Sequence, residues 1–179
     1  MAREVNPEAI ILFLLPVPRN NLQEDAVTMP ELPEITVYVE RLRALARGER
    51  LESMRITCPF ALRTVAPKPE AFKGRLLRDV GRIGKRIVLD FEGDLFAVIH
   101  LMIAGRLHWR PPGSPIPKRY GLAAFDFAAG TLLFTEAGSK RRASLHLAAG
   151  REALAAFDRG GVDVLEAPPE ALTAALRRE

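Results

Sequence analysis

Pro30 directly follows Met29 and is itself followed by Glu31. A proline behind a methionine becomes the first residue of a chain when translation starts at that methionine and the methionine is then removed. An N-terminal proline is a secondary amine, and α-amino groups titrate at about pH 8. An appreciable fraction is therefore unprotonated, and nucleophilic, at neutral pH. Such an amine can attack a carbonyl-like carbon and form a covalent iminium. Glu31 is next to it and is a proton donor or acceptor for that step. The plainer reading of the same two residues is that they open a helix.

The elements around them favour a helix start in either case. Pro33 suits a first helical turn, where its missing N–H costs nothing and its φ is already helical. Glu31 and Glu34 put negative charge at the positive end of the helix dipole. Ile35, Tyr38, Val39, Leu42 and Leu45 then recur at three- and four-residue spacing and define one apolar face. Gly48 offers a left-handed stop.

Beyond this helix the pattern changes to short apolar runs broken by turn residues. Segments 51–57, 76–80, 86–91, 95–101, 106–109, 122–127 and 131–135 each read as strands. Glu92-Gly93-Asp94 and Ala128-Ala129-Gly130 are turns that make hairpins of their neighbours. Cys58-Pro59-Phe60 ends the first strand, Pro69 to Gly74 is a helical turn, and 111–117 is a proline-rich loop. The fold expected is mainly β with flanking helices: an antiparallel β-sandwich with an N-terminal helix packed on it. Residues 29–149 make the domain, and 152–158 and 169–178 within the segment 150–179 add two helices at the end.

Residues 1–28 differ from the rest. The apolar run 9–15 is interrupted by Pro16 and Pro18, is too short for a membrane span, and lacks the basic start and cleavage site of a signal peptide. The economical expectation is that the natural start is Met29 and that 1–28 is an over-extended reading of the gene. The rival is a genuine extension, which would hold Pro30 in an amide and remove its nucleophilicity.

The chain's 179 residues carry a net charge of +4. Arg3 and Arg19 against Glu4, Glu8, Glu24 and Asp25 give −2 over 1–28, so the part from Met29 onward carries +6. That balance is compatible with a polyanionic partner without demonstrating one. Cys58 is the only cysteine, which excludes an internal disulfide framework and a four-cysteine metal site, and suits a reducing compartment. His100, His108 and His146 have no short ligand spacing. A facing pair across a hairpin, His100 with His108, is the one arrangement that could bring two together. No metal site is expected.

Three further stretches carry possible chemistry. Gly81-Arg82-Ile83-Gly84-Lys85-Arg86 gathers three cations around two glycines that allow a tight backbone bend. His100-Leu101-Met102-Ile103-Ala104-Gly105 puts two bulky apolar residues in a turn. Glu136-Ala137-Gly138-Ser139-Lys140-Arg141-Arg142 ends a strand on a basic triplet. Each also has a bland reading, as a solvated turn or a core strand.

Together with Met29-Pro30-Glu31-Leu32-Pro33-Glu34, these stretches resemble the formamidopyrimidine-DNA glycosylase and endonuclease VIII family of base-excision-repair enzymes. The similarity runs from Met29 to the end of the chain, over that family's N-terminal catalytic domain. The resemblance implies that the Pro30 amine attacks C1′ of a flipped-out damaged nucleotide, with Glu31 managing proton transfers and Lys85 holding a nearby phosphate. Glu34 is implied as a helix-start residue that also positions the lesion or the nucleophile. In the family's His-Leu-Gly-Met-Ser-Gly stretch the methionine fills the gap left by the extruded nucleotide. Met102 and Ile103 occupy the Gly-Met positions, so Ile103 aligns with that wedge and either side chain has the bulk. The family's Arg-Arg-Phe-Gly element is replaced by Lys140-Arg141-Arg142-Ala143, which keeps cations for phosphate but has no aromatic.

The family continues into a helix–two-turns–helix module and, in most members, a four-cysteine zinc hairpin. Neither is in this chain, so no cofactor is expected in it and it reads as a fragment of a longer product. The resemblance implies a DNA glycosylase with AP lyase activity, acting as a monomer on damaged double-stranded DNA in the bacterial cytoplasm, at the nucleoid. The alternative is a truncated, catalytically inactive module that binds damaged DNA.

Overall fold

The computed structural model describes residues 29–137 and 141–158, together with 160, 167, 168, 170, 173 and 177. The expected extension 1–28, Lys140 and the expected helix 169–178 lie outside the described residues, apart from isolated positions of that helix.

Helix α1 spans Leu32–Ala46, and eight strands follow it: β1 Leu51–Ile56, β2 Leu77–Ile83, β3 Arg86–Phe91, β4 Leu95–His100, β5 Gly105–Arg110, β6 Gly121–Phe127, β7 Gly130–Glu136 and β8 Ser144–Ala149. A short helix, α2, spans Arg151–Ala155. The strands form two four-stranded sheets, ordered β1-β6-β7-β5 and β2-β3-β4-β8, with every pairing antiparallel. This is the β-sandwich with an N-terminal helix that the sequence predicts. Between the sheets lie side chains such as Phe91, Ile99, Leu107, Phe125 and Phe134, all nearly inaccessible to water.

Two differences from the expectation matter for the site. Strand β8 carries no strand pattern in the sequence, yet it pairs with β4 from Leu95↔Ala149 to His100↔Ser144 and completes the second sheet. The step from β4 to β5 is as short as a hairpin turn but passes from one sheet to the other. His100 and His108 therefore do not face each other: His100 lies opposite Arg86 and Ser144, and His108 lies opposite Leu133 with Nε2 3.2 Å from the Thr135 hydroxyl.

A sandwich has open sides, and here both are closed by chain. The edge strands β2 and β5 face α1, which buries Ile35, Val39, Leu42 and Ala46. At roughly 1.5–3 kcal/mol for each of the three large side chains, this packing holds the helix far more than intrinsic propensity does. Arg43 binds Asp79 through Nε and Nη2 at 2.9 and 3.1 Å, and Tyr38 reaches the backbone of Leu107 on β5. Gly48 ends the helix at φ +87°, and its N–H meets the Leu77 carbonyl at 2.9 Å. On the opposite side, 57–64 runs on from the β1–β6 ladder to the free edge of β8, and the free edge of β1 is met at Leu51 by Gly74 and Arg75. Thr57 and Cys58 donate to the Leu122 carbonyl, Arg63 donates to Leu145, and the Thr64 hydroxyl accepts from the Leu147 N–H. Covering edges in this way removes strand templates for aggregation.

Strands β6 and β7 are buried along their whole length, because the 111–120 loop lies over their outer face. A polar cluster ties it there. Asp126 accepts from Ser53 Oγ at 2.6 Å, from Arg55 Nε and Nη2 at 2.7 Å each, and from Thr131 Oγ1 at 2.8 Å. The loop attaches through Arg55 Nη2 to the Ser114 carbonyl at 2.8 Å and through the Gly113 N–H to Thr131 Oγ1 at 3.0 Å. Among the described residues no helix is long and apolar enough to cross a membrane.

Candidate active site

The sheet registers bring the sequence landmarks to one end of the sandwich. In one sheet the closing row is Ile83, Arg86, His100 and Ser144. In the other it runs through Glu136 opposite Gly105, Thr135 opposite Gly121, and Ile56 opposite Ala123. The connections with residues at that end are therefore 84–85, 101–104, the β7–β8 link at Ala137 and Arg141–Ala143, and the start of 57–64. Two of these join one sheet to the other.

Helix α1 runs antiparallel to β2, so its N-terminus arrives at the same place. Its last turn meets Leu77, Arg43 meets Asp79, and Glu31 meets Lys85 in the β2–β3 turn. Lys85 Nζ is 2.5 Å from Glu31 Oε2 and 4.0 Å from Met29 Sδ. Pro30, between those two partners, is buried. The Glu31 N–H donates to Glu34 Oε2 at 2.8 Å, one arm of a capping box, and Glu34 so fixes the backbone that carries Pro30 and Glu31. Glu31 is 60% exposed and Lys85 34% exposed, so both remain open to an incoming group.

The 101–104 turn follows His100, which lies opposite Arg86, the neighbour of Lys85. Met102 adopts φ +55° and is half-buried, whereas Ile103 is exposed at the tip of the turn. Arg106 braces the turn by donating to the carbonyls of Ile103 and Gly105 at 3.1 and 2.7 Å. Position 105 has no room for a side chain, because a Cβ there would run into the backbone of Leu101. Gly105→Ala is therefore expected to cost about 1–3 kcal/mol, seen in thermal unfolding as a melting temperature several degrees lower.

The basic stretch is partly placed. Arg141 donates through Nη2 to the Arg119 carbonyl at 2.5 Å and sits 3.9 Å from Cys58 Sγ. Arg142 is exposed, and its backbone N–H donates to Glu136 Oε1 at 2.9 Å. The Ala143 N–H lies 3.2 Å from both oxygens of the same carboxylate, which is buried. The sequence alone gives Glu136 and Arg106 no role. An acidic residue four positions before the basic triplet is the available signal for Glu136, whose carboxylate holds the backbone of Arg142 and Ala143.

The arrangement can hold an anion near Lys85 and Arg142, offer a carboxylate for proton transfer at Glu31, and present apolar bulk at Ile103. The formamidopyrimidine-DNA glycosylase N-terminal domain matches residues 29–144. The formamidopyrimidine-DNA glycosylase of Mycoplasma genitalium is 26% identical over 141 residues, 78% of this chain and 49% of that protein. Its counterpart from Moorella thermoacetica is 30% identical over 129 residues, 69% and 45% of the two chains. The Lactococcus lactis Fpg crystallised with abasic-site DNA has the same fold, at TM-score 0.64 and 20% identity over 72% of this chain and 47% of that one. The sandwich and its helix thus define a domain class, and the chain belongs to the formamidopyrimidine-DNA glycosylase family. It spans about half the length of the curated relatives it matches.

Proposed function

We propose that this chain carries the catalytic domain of a base-excision-repair DNA glycosylase with AP lyase activity, acting on oxidised bases in double-stranded DNA. The observation that carries the reading is the meeting of Pro30, Glu31 and Lys85 at the end of the sandwich where the 101–104 turn and Arg142 also stand.

In this reading the active chain begins at Pro30. The damaged nucleotide leaves the base stack, with Ile103 as the wedge in the space it vacates. The Pro30 nitrogen forms a bond to C1′ as the glycosidic bond breaks and the base leaves with a proton. Loss of the amine proton, with opening of the sugar ring, gives the iminium, and Glu31 moves these protons. Loss of a C2′ proton expels the 3′-phosphate, loss of a C4′ proton then expels the 5′-phosphate so that the strand is cut on both sides, and water hydrolyses the iminium to free the Pro30 amine. Lys85 exchanges its Glu31 partner for a DNA phosphate, a role suited to a flexible point charge. The resulting free Glu31 carboxylate is the group that needs to act. All these groups are protein side chains or the terminal amine, so the proposed chemistry uses no cofactor. The enzyme works as a monomer in the bacterial cytoplasm, at the nucleoid.

A second reading rests on Met29, which in the chain as written holds the Pro30 nitrogen in an amide. That form binds damaged DNA without chemistry. Strand cleavage of abasic duplex by a chain starting at Pro30 separates the two. Pro30→Gly in that chain keeps a free amine and is expected to cleave more slowly; undiminished cleavage would refute Pro30 as the nucleophile.

A further inference from the structure

We propose that Phe60 is an additional DNA-contacting residue, an aromatic face that stacks on a base unstacked at the damaged site; this rests on the functional reading above. Phe60 is 83% exposed. Leaving a phenyl ring in water forgoes burial that normally stabilises a fold by about 1.5–3 kcal/mol. The ring is nevertheless carried on a firm support. Pro59–Ala61 is one 3-10 turn, closed by Ala61 N–H to the Cys58 carbonyl at 3.0 Å and Leu62 N–H to the Pro59 carbonyl at 3.1 Å. The turn is bound to β6 through Thr57 and Cys58, and Leu62 lies beside Leu145 of β8.

Its position is the second observation. The turn leaves β1 at the same end of the sandwich as Lys85, Ile103 and Arg142. Phe60 lines a shallow hollow with Cys58, Ala61, Leu122, Arg141 and Ala143. Arg141 is fixed there by its bonds to the Arg119 carbonyl and Cys58. An exposed aromatic beside a positioned guanidinium is what binds an unstacked base next to its phosphate. Arg141 supplies a cation at this hollow, and Phe60 brings a ring to the same place from another part of the chain. The neighbouring positive charge favours a polyanion over an apolar protein surface.

The test compares the full chain with Phe60→Ala and Phe60→Trp, binding an intact duplex and the same duplex with a stable abasic analogue, by fluorescence anisotropy of the DNA. Because the ring is exposed, both variants should melt as wild type does. Phe60→Ala is expected to weaken binding to the abasic duplex about tenfold and to leave intact-duplex binding nearly unchanged. Phe60→Trp should restore affinity, and its emission above that of the single native Trp109 should be quenched by the abasic duplex alone. Wild-type affinity in Phe60→Ala, or an equal loss on both duplexes, would overturn this inference while leaving the functional reading intact. Failure of the wild-type chain to bind either duplex would overturn both.

Discussion

Glu31→Gln is expected to slow release of an oxidised base by a factor of roughly 10²–10⁴ in a chain that begins at Pro30, the range for a lost acid–base group. The amide keeps the size and much of the hydrogen bonding of the carboxylate but cannot take up the proton. The fold should tolerate the change. Glu31 meets Lys85 at a solvent-exposed pair, and such pairs contribute at most about 1 kcal/mol. The helix start is also held by Glu34, which accepts the Glu31 N–H whatever side chain stands at 31. Kinetic loss with an unchanged melting temperature is therefore the expected signature. Base release near the wild-type rate would remove Glu31 from the mechanism.

The largest effect on stability is expected at Asp126. Its side chain is 10% exposed and accepts from Ser53, Arg55 and Thr131. Asp126→Ala leaves those donors without their acceptor and loosens the 111–120 loop. Removing one partner of a buried pair costs about 3–5 kcal/mol. The Arg55 side chain is 37% exposed and regains water, so about 2–3 kcal/mol is the expected loss, or roughly 5–10 °C in melting temperature. The same site sets a pH dependence. Burial pushes the Asp126 carboxyl up, but the hydrogen bonds from Arg55, Ser53 and Thr131 and the Arg55 charge outweigh it and hold it below its ordinary value. A carboxyl lowered by folding stabilises fully above its unfolded value of about 3.9, and that contribution is lost as pH falls through the lower folded value. Asp126→Asn should flatten this acid limb in urea titrations read at successive pH values.

Much of the fold could be read from local chemistry. Helix α1 announces itself through Pro33, the two glutamates and an apolar face whose buried members are Ile35, Val39 and Leu42. Two hairpins follow from 92–94 and 128–130, where the turn residues fix the register of β3 with β4 and β6 with β7. What local chemistry does not encode is which sheet a strand joins. The 101–104 link has hairpin length, and only the pairing of β5 with β7 shows that it crosses between layers. Strand β8 is short and includes two alanines, weak strand formers, and becomes a strand because β4 offers it a full ladder.

The candidate site divides along the same line. Pro30, Glu31 and Lys85 carried their signal in residue type and in family resemblance, and the antiparallel run of α1 along β2 brings them together across more than fifty residues of chain. Ile103 rather than Met102 stands outward, a difference set by the turn's backbone. The Arg55–Asp126 pair spans 71 residues and leaves no local trace. Phe60 looked like the end of a strand, because exposure is not written in a residue's type.

Covalent capture of the sugar by the Pro30 nitrogen is tested most directly with borohydride, which reduces an iminium to a stable protein–DNA adduct. The assay sets the chain as written beside one processed to begin at Pro30, each with duplex containing an abasic site. The account predicts an adduct from the Pro30-started chain and none from the chain in which Met29 acylates that nitrogen. Equal adducts from both chains, or no adduct from the Pro30-started one, would contradict it.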